Sequence, residues 1–109
     1  MEPVEIHPTD DRGVRVTAIL VQHAPVFPSL AYRFDTPDGS VVFSGDTRPC
    51  HTLVHACDGA DLLIHETFPS ASVFAKKAGV PEDLAEAIVN GVHTSPAMAG
   101  KVFARAGAR

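Results

Sequence analysis

The predicted fold depends on one stretch of the sequence, Ser40-Val41-Val42-Phe43-Ser44-Gly45-Asp46-Thr47. Its three consecutive apolar residues, two β-branched and one aromatic, predict a buried strand. Gly45 ends that strand, because glycine permits a backbone conformation that a side chain would forbid. Asp46 follows at the exit of the strand. A carboxylate there can bind a metal ion or activate water, or it can cap a helix that begins near Pro49.

Length and composition limit the class of protein. A chain of 109 residues is one small domain or part of a larger one, and its 45% of hydrophobic residues is enough for a core. The net charge of −4 gives no overall basic footprint for nucleic acid. No apolar run is long enough to span a membrane, and the acidic N-terminus does not resemble a secretion signal.

The two cysteines indicate a reducing compartment. Cys50 and Cys57 fall on one predicted short helix, where their Cα atoms would lie about 10 Å apart, too far for a disulfide. We therefore expect free thiols and a cytoplasmic protein.

Before the central stretch, the sequence predicts a turn and two strands. Residues 1–12 are polar and resemble a strand end and a turn. Residues 14–22 alternate in polarity, which predicts a strand that ends at His23. After a proline-containing loop, residues 30–35 form the next strand. Thr36-Pro37-Asp38-Gly39 is a turn sequence, so this strand and the central one should form a hairpin.

After Asp46, the sequence predicts a βαβ unit. A short helix from Pro49 to Cys57 leads to a buried strand over residues 61–64, followed by His65 and Glu66. A helical crossover joins parallel neighbouring strands, so Asp46 and His65 should lie at the same edge of the sheet. Open α/β sheets bind ligands at that edge.

Three helices are predicted in the remainder. Residues 70–77 can form one, and residues 81–90 form a clearer one with Leu84, Ala87 and Ile88 on one face. Ser95 caps the last helix, which has Pro96 at its first position. Its apolar stripe consists of Ala99, Val102, Phe103 and Ala106.

Five polar residues lie where an ordered element is predicted to meet a loop. Imidazoles together with carboxylates suit zinc and similar ions. The set consists of His23, Asp46, His65, Glu66 and His93. His7, His51 and His55 are instead expected on the surface, although the spacing of His51 and His55 would allow adventitious metal binding.

Four segments resemble the metallo-β-lactamase superfamily, in its ribonuclease Z and arylsulfatase-like branch. They are residues 23–34 (HAPVFPSLAYRF), residues 41–47 (VVFSGDT), residues 61–68 (DLLIHETF) and residues 93–95 (HTS). The Gly-Asp-Thr segment is common to the superfamily, whereas the His-Glu-Thr-Phe and His-Thr-Ser segments, in that order, are specific to this branch. The likeness extends from about Val14 to the last residue.

The resemblance implies an α/β fold, namely part of an αββα sandwich that binds two metal ions, usually zinc. It implies that His23 is a ligand of one metal and that Asp46 bridges both. It also implies that His65, oriented by Glu66, donates a proton to the leaving group, and that His93 supports this pair. The implied activity is metal-dependent hydrolysis of an ester, such as a phosphodiester or a sulfate, in a small molecule or RNA. A tight hairpin where bacterial ribonuclease Z usually has a long insertion, together with the acidic charge, argues against tRNA.

The main metal motif of the superfamily, His-x-His-x-Asp-His, does not occur in this sequence. The family's last histidine ligand follows a strand beyond the final helix, which this sequence also lacks. We therefore expect residues 1–109 to be the C-terminal part of such a domain, with the upstream half and the last strand absent. One copy of the chain cannot complete a di-metal centre.

Two alternatives remain open. One is a non-catalytic half-domain remnant that self-associates into a homo-oligomer, because half a sandwich exposes an apolar face. The other is a small α/β binding module with an unrelated ligand, which nothing in the sequence supports directly.

Overall fold

The computed structural model describes residues 3–107, which form one five-stranded sheet and four helices. The predicted α/β class is confirmed, and one sheet with flanking helices is compatible with a partial αββα sandwich. The strands are β1 (Val4–His7), β2 (Arg15–Val21), β3 (Ser29–Thr36), β4 (Gly39–Phe43) and β5 (Leu62–Ile64). The helices are α1 (His51–Ala56), α2 (Ala71–Ala78), α3 (Glu82–Gly91) and α4 (Pro96–Ala106).

The strands lie in the sheet in their order along the chain. β1 to β4 pair antiparallel, and the predicted hairpin through residues 36–39 joins β3 to β4. β5 pairs parallel to β4, with Val42 opposite Leu63. This confirms the βαβ prediction, so the segments that begin with Ser44 and His65 leave the sheet at the same edge.

The core lies on one face of the sheet, under α1 and α4. Its buried members are Ile19, Val21, Ala31, Val42, Cys50, Leu53, Cys57, Ala60, Leu63 and Val102. Since strand side chains alternate between faces, their neighbours point the other way. Phe43, Leu62 and Ile64 are 41%, 48% and 46% exposed. The sequence predicted that β4 and β5 are buried. This is right for the face that packs under α1 and α4 and wrong for the opposite face.

The helices follow the sequence signals with three differences. α1 begins at His51, after Cys50 and without a side-chain cap, so Asp46 does not cap it. α3 buries Ala85 and Val89, whereas Leu84 from the predicted face is 47% exposed. In the predicted stripe of α4, Ala99 and Val102 are buried but Phe103 is 45% exposed.

The predicted cap of the last helix is confirmed, whereas the N-terminal segment differs from its prediction. Ser95 caps α4 by accepting a hydrogen bond from the Met98 N–H at 3.4 Å. The polar N-terminal segment contains a full strand, β1, where the sequence indicated only a strand end.

Within residues 3–107, no helix combines the length and the apolar character needed to cross a membrane.

Both cysteines are free, as predicted, and the structure also buries both. Burial raises the pKa of the Cys57 thiol, and the positive charge of Arg33 partly opposes this shift. The thiol of Cys57 is thus kept neutral and shielded from solvent.

Candidate metal centre

Gly45 makes the turn that carries Asp46 out of β4. Its φ is +62°, and a Cβ added there would lie 2.6 Å from the carbonyl oxygen of Leu30. No other residue fits without moving the backbone of β3, as the sequence predicted. The Ser29 hydroxyl then donates a hydrogen bond to the Asp46 carbonyl at 2.8 Å, which leaves the Asp46 side chain exposed at the sheet edge.

Glu66 joins three segments through one carboxylate. It accepts hydrogen bonds from the backbone N–H of Thr47 at 2.6 Å and of Thr94 at 3.3 Å. Its Oε1 also lies 3.0 Å from Nδ1 of His93. The side chains of both partners are largely buried, with 14% of His93 and 13% of Glu66 exposed. A carboxylate so placed fixes the loops after β4, after β5 and after α3 relative to each other.

Two buried threonines complete this connection. Thr47 and Thr94 are each 0% exposed, and the Thr94 hydroxyl donates to the Thr47 carbonyl at 2.7 Å. The Thr47 hydroxyl in turn accepts from the N–H of Gln22 at 3.2 Å, which ties in the loop that carries His23. Neither threonine is among the site residues predicted from the sequence. The available signal was their position directly after Asp46 and His93.

Three contacts hold the ring of His93. Besides the Glu66 carboxylate, it stacks on Phe68, with ring centroids 4.0 Å apart and 12° between planes. The ring of His23 meets it edge-on at 4.8 Å. Since Nδ1 faces Glu66, Nε2 is the ring nitrogen left for other chemistry.

His23 is held through its own Nδ1, which lies 2.8 Å from the carbonyl oxygen of Val92. A carbonyl can only accept, so Nδ1 carries the proton and neutral His23 has its lone pair on Nε2. Metal-binding histidines are commonly oriented in this way.

The structure brings three predicted site residues into one group. Among the described residues, one ligand atom from each of Asp46, Glu66 and His93 lies within 4.8 Å of the other two. His23 is not in this group but touches the His93 ring, so both predicted metal ligands, His23 and Asp46, adjoin His93.

Two carboxylates and imidazole nitrogens form a donor set that fits a divalent cation of the zinc type. Glu66 is the least free of these groups, because its oxygens already accept three hydrogen bonds. Asp46 and His23 are better suited to hold a metal ion.

His65 lies apart from this group. Its Nδ1 bonds the main-chain carbonyl of Glu66 at 2.7 Å, and its ring faces Phe103 at 6.3 Å. Its Nε2 is buried and has no hydrogen-bond partner among residues 3–107. Glu66 therefore contacts His65 through its main chain and His93 through its carboxylate. The three histidines expected on the surface, at positions 7, 51 and 55, are exposed.

No protein-family model matches the chain. It is 39% identical over 69 residues to "Putative ribonuclease Z" of Mycobacterium tuberculosis (strain CDC 1551 / Oshkosh), covering 58% of this chain and 31% of the relative. A "Ribonuclease Z" of Mycobacterium bovis (strain BCG / Pasteur 1173P2) is 39% identical over 69 residues, covering 58% of this chain and 25% of that protein. A "Ribonuclease Z" of Mycobacterium sp. (strain KMS) is 41% identical over 69 residues, covering 58% of this chain and 24% of that protein.

Together with the fold, these likenesses confirm the predicted resemblance to the metallo-β-lactamase superfamily. Within that superfamily, the chain is similar to part of proteins named ribonuclease Z. The matched region accounts for about a quarter to a third of the length of these relatives. None of the three has an arylsulfatase name.

Proposed function

We propose that this chain forms part of a metal-dependent hydrolase of the metallo-β-lactamase type that cleaves phosphodiester bonds in RNA. The observation that carries the proposal is the Glu66–His93 pair beside Asp46, at the edge of the sheet where β4 and β5 end. The names of the relatives favour RNA over a sulfate or small-molecule ester. The free cysteines are in keeping with a cytoplasmic location.

In this proposal, residues 1–109 supply the C-terminal part of the domain. His23 and Asp46 would hold zinc, and the other ligands would come from an upstream part that carries His-x-His-x-Asp-His and from the last histidine, which follows the final helix in this family. A bound di-metal centre would polarise the attacked ester and lower the pKa of a bound water. Asp46 suits a bridging position, because a carboxylate has two oxygens and a neutral imidazole has a single free lone pair.

Glu66 and His93 are suited to move a proton to the leaving group. The carboxylate fixes the tautomer and direction of the imidazole, and Phe68 and His23 restrict its rotation. A ring held in this way can donate from Nε2 without reorganising. His65, the donor implied by the resemblance, is the alternative. Its Nε2 is enclosed, so it would need the surrounding loops to move first.

The test uses the chain joined to the upstream segment and to the last strand, with its histidine, of a mycobacterial relative, loaded with zinc. Substrates are labelled RNA, bis(p-nitrophenyl) phosphate and p-nitrophenyl sulfate. We expect hydrolysis of the two phosphodiesters and not of the sulfate. His93→Ala should lower kcat by about 10²–10⁴-fold, the usual contribution of a general acid.

His55→Ala, which removes an exposed histidine of α1, is the control and should leave kcat unchanged. A larger loss from His65→Ala than from His93→Ala would assign the proton to His65. Hydrolysis of the sulfate alone would contradict the proposed substrate class.

The second candidate function, a self-associating remnant, is favoured by the open face of the sheet. Phe34 and Phe43 meet edge-to-face there at 5.8 Å, beside the exposed Leu62 and Ile64. Light scattering coupled to gel filtration would show a homo-oligomer, and Leu62→Lys should dissociate it. A monomer at all concentrations would exclude this candidate.

A further inference from the structure

The acidic residues of this protein are unevenly distributed along the sequence. Residues 47–57 and residues 87–109 contain no Asp or Glu, although the whole chain has 13 acidic residues and a net charge of −4. The first segment includes α1 and the second includes α4. These two helices pack on the same face of the sheet, so the structure brings the two acid-free segments together.

A groove lies between these helices. It has a volume of about 270 Å³, and its polar lining includes His51, Lys101 and Arg105. A second cavity of about 410 Å³ adjoins it and is lined by Arg48 and by His93 of the candidate site. Pro49 and Met98 line both, so the two cavities lie side by side and together make up one depression whose lining includes His93. We call it the basic groove.

The cations of the basic groove are not neutralised within the described residues. Arg12, Arg15 and Arg33 form ion pairs with Asp10, Glu5 and Asp35. By contrast, no ion pair of the described residues involves Arg48, Lys101 or Arg105, and all three are exposed. Lys101 and Arg105 are four residues apart on α4 and therefore project from the same side of the helix.

We propose that the basic groove binds the sugar-phosphate backbone of single-stranded RNA and leads the strand to His93. This inference rests on the proposed function for the identity of the ligand as RNA. Three unpaired cations along one depression match a run of phosphates, and the lining contains no carboxylate to repel them. Among the described residues, no Phe or Tyr lines the groove as a stacking platform for bases, so we expect binding to depend on phosphates and not on base sequence.

The experiment measures binding of a fluorescein-labelled ten-nucleotide oligo(U) to the purified chain by anisotropy, in EDTA, at several KCl concentrations. Three phosphate contacts predict a slope of about −2 for log K against log [KCl], since each contributes about −0.7 on a single strand. Removal of two of them in the double variant Lys101→Ala/Arg105→Ala should reduce the slope to about −0.7 and weaken binding at low salt by roughly tenfold or more.

The chain offers a matched control. Lys76 and Lys77 lie on α2, are exposed and line neither part of the groove. Lys76→Ala/Lys77→Ala removes the same charge and should leave the slope near −2. The pair Lys101→Arg/Arg105→Lys keeps both charges and should bind RNA like the unmodified chain. Circular dichroism checks that each variant is folded.

Three outcomes would overturn the proposal: no measurable RNA binding by the chain, binding without salt dependence, or an equal loss in the α2 control. A single-stranded DNA of the same length should give the same slope, because the contacts are to phosphates. Binding to RNA alone would contradict a phosphate-based groove.

Failure of this inference can be distinguished from failure of the proposed function. Binding is measured in EDTA and does not require hydrolysis. In the completed enzyme, the groove variant should lower cleavage of RNA while leaving cleavage of bis(p-nitrophenyl) phosphate unchanged. If RNA cleavage is unaffected, the groove proposal is wrong and the hydrolase proposal stands. If neither substrate is cleaved but salt-sensitive RNA binding persists, the hydrolase proposal is wrong and the groove proposal stands.

Discussion

The carboxylate of Glu66 lies 3.0 Å from Nδ1 of His93, and the two residues are 27 positions apart in the sequence. The same carboxylate bonds the backbone N–H groups of Thr47 and Thr94. One side chain thus orients the candidate proton donor and holds the loops around it. Site geometry and local stability are therefore coupled in this protein.

Glu66→Ala should destabilise the fold. It leaves the buried N–H groups of Thr47 and Thr94 without an acceptor, which costs about 2–4 kcal/mol in the free energy of unfolding. Glu66→Gln retains one acceptor oxygen and should cost about 1 kcal/mol. Urea denaturation followed by circular dichroism measures both. Glu86→Ala, at an exposed position of α3, is the control and should change stability little. Equal effects of Glu66→Ala and Glu86→Ala would show that the carboxylate does not hold these loops.

Gly45→Ala should be strongly destabilising. The added Cβ would meet the Leu30 carbonyl at 2.6 Å, and the residue would have to keep a φ of +62°. We expect a loss of more than about 1 kcal/mol, measured as a lower Tm. Gly100→Ala is the matched control, because Gly100 lies inside α4 and nothing lies within 4 Å of an added Cβ. This second change should be neutral or stabilising by about 0.5–1 kcal/mol.

The thiol of Cys57 should react slowly in the folded protein. It is 1% exposed, and burial raises its pKa, so little thiolate is present at neutral pH and that little is shielded. Titration with Ellman's reagent should give slow modification without denaturant and rapid modification of both cysteines in urea. A Cys50→Ser variant isolates the signal of Cys57. Fast native labelling of that variant would mean that the segment around α1 opens readily.

The 109-residue chain alone should bind zinc weakly and show no turnover. Only His23 and Asp46 match ligand positions of the superfamily, whereas catalytic zinc uses about three protein ligands. Calorimetric titration with zinc, followed by a chelator, should show ready loss of the metal. Turnover by the chain alone, abolished in a His93→Ala control, would mean that an oligomer supplies the missing ligands.

The local sequence pattern was sufficient for the elements other than β1 and for the sheet edge at which the candidate site lies. A β-branched run ended by Gly45, a Pro-Gly turn and a helical crossover each have short-range causes, and their combination leaves few topologies. Candidate residues could also be listed, because His23, Asp46, His65, Glu66 and His93 all follow ordered elements, and the structure brings Asp46, Glu66 and His93 into one group.

The pairing of those residues was decided only by the tertiary structure. The sequence places Glu66 beside His65, yet its carboxylate turns to His93 because the N–H groups of Thr47 and Thr94 converge there. The buried face of each strand and helix was likewise undetermined. Leu62, Leu63 and Ile64 are equally apolar, and only the packing of α1 and α4 on one side of the sheet buries Leu63 and leaves its neighbours exposed.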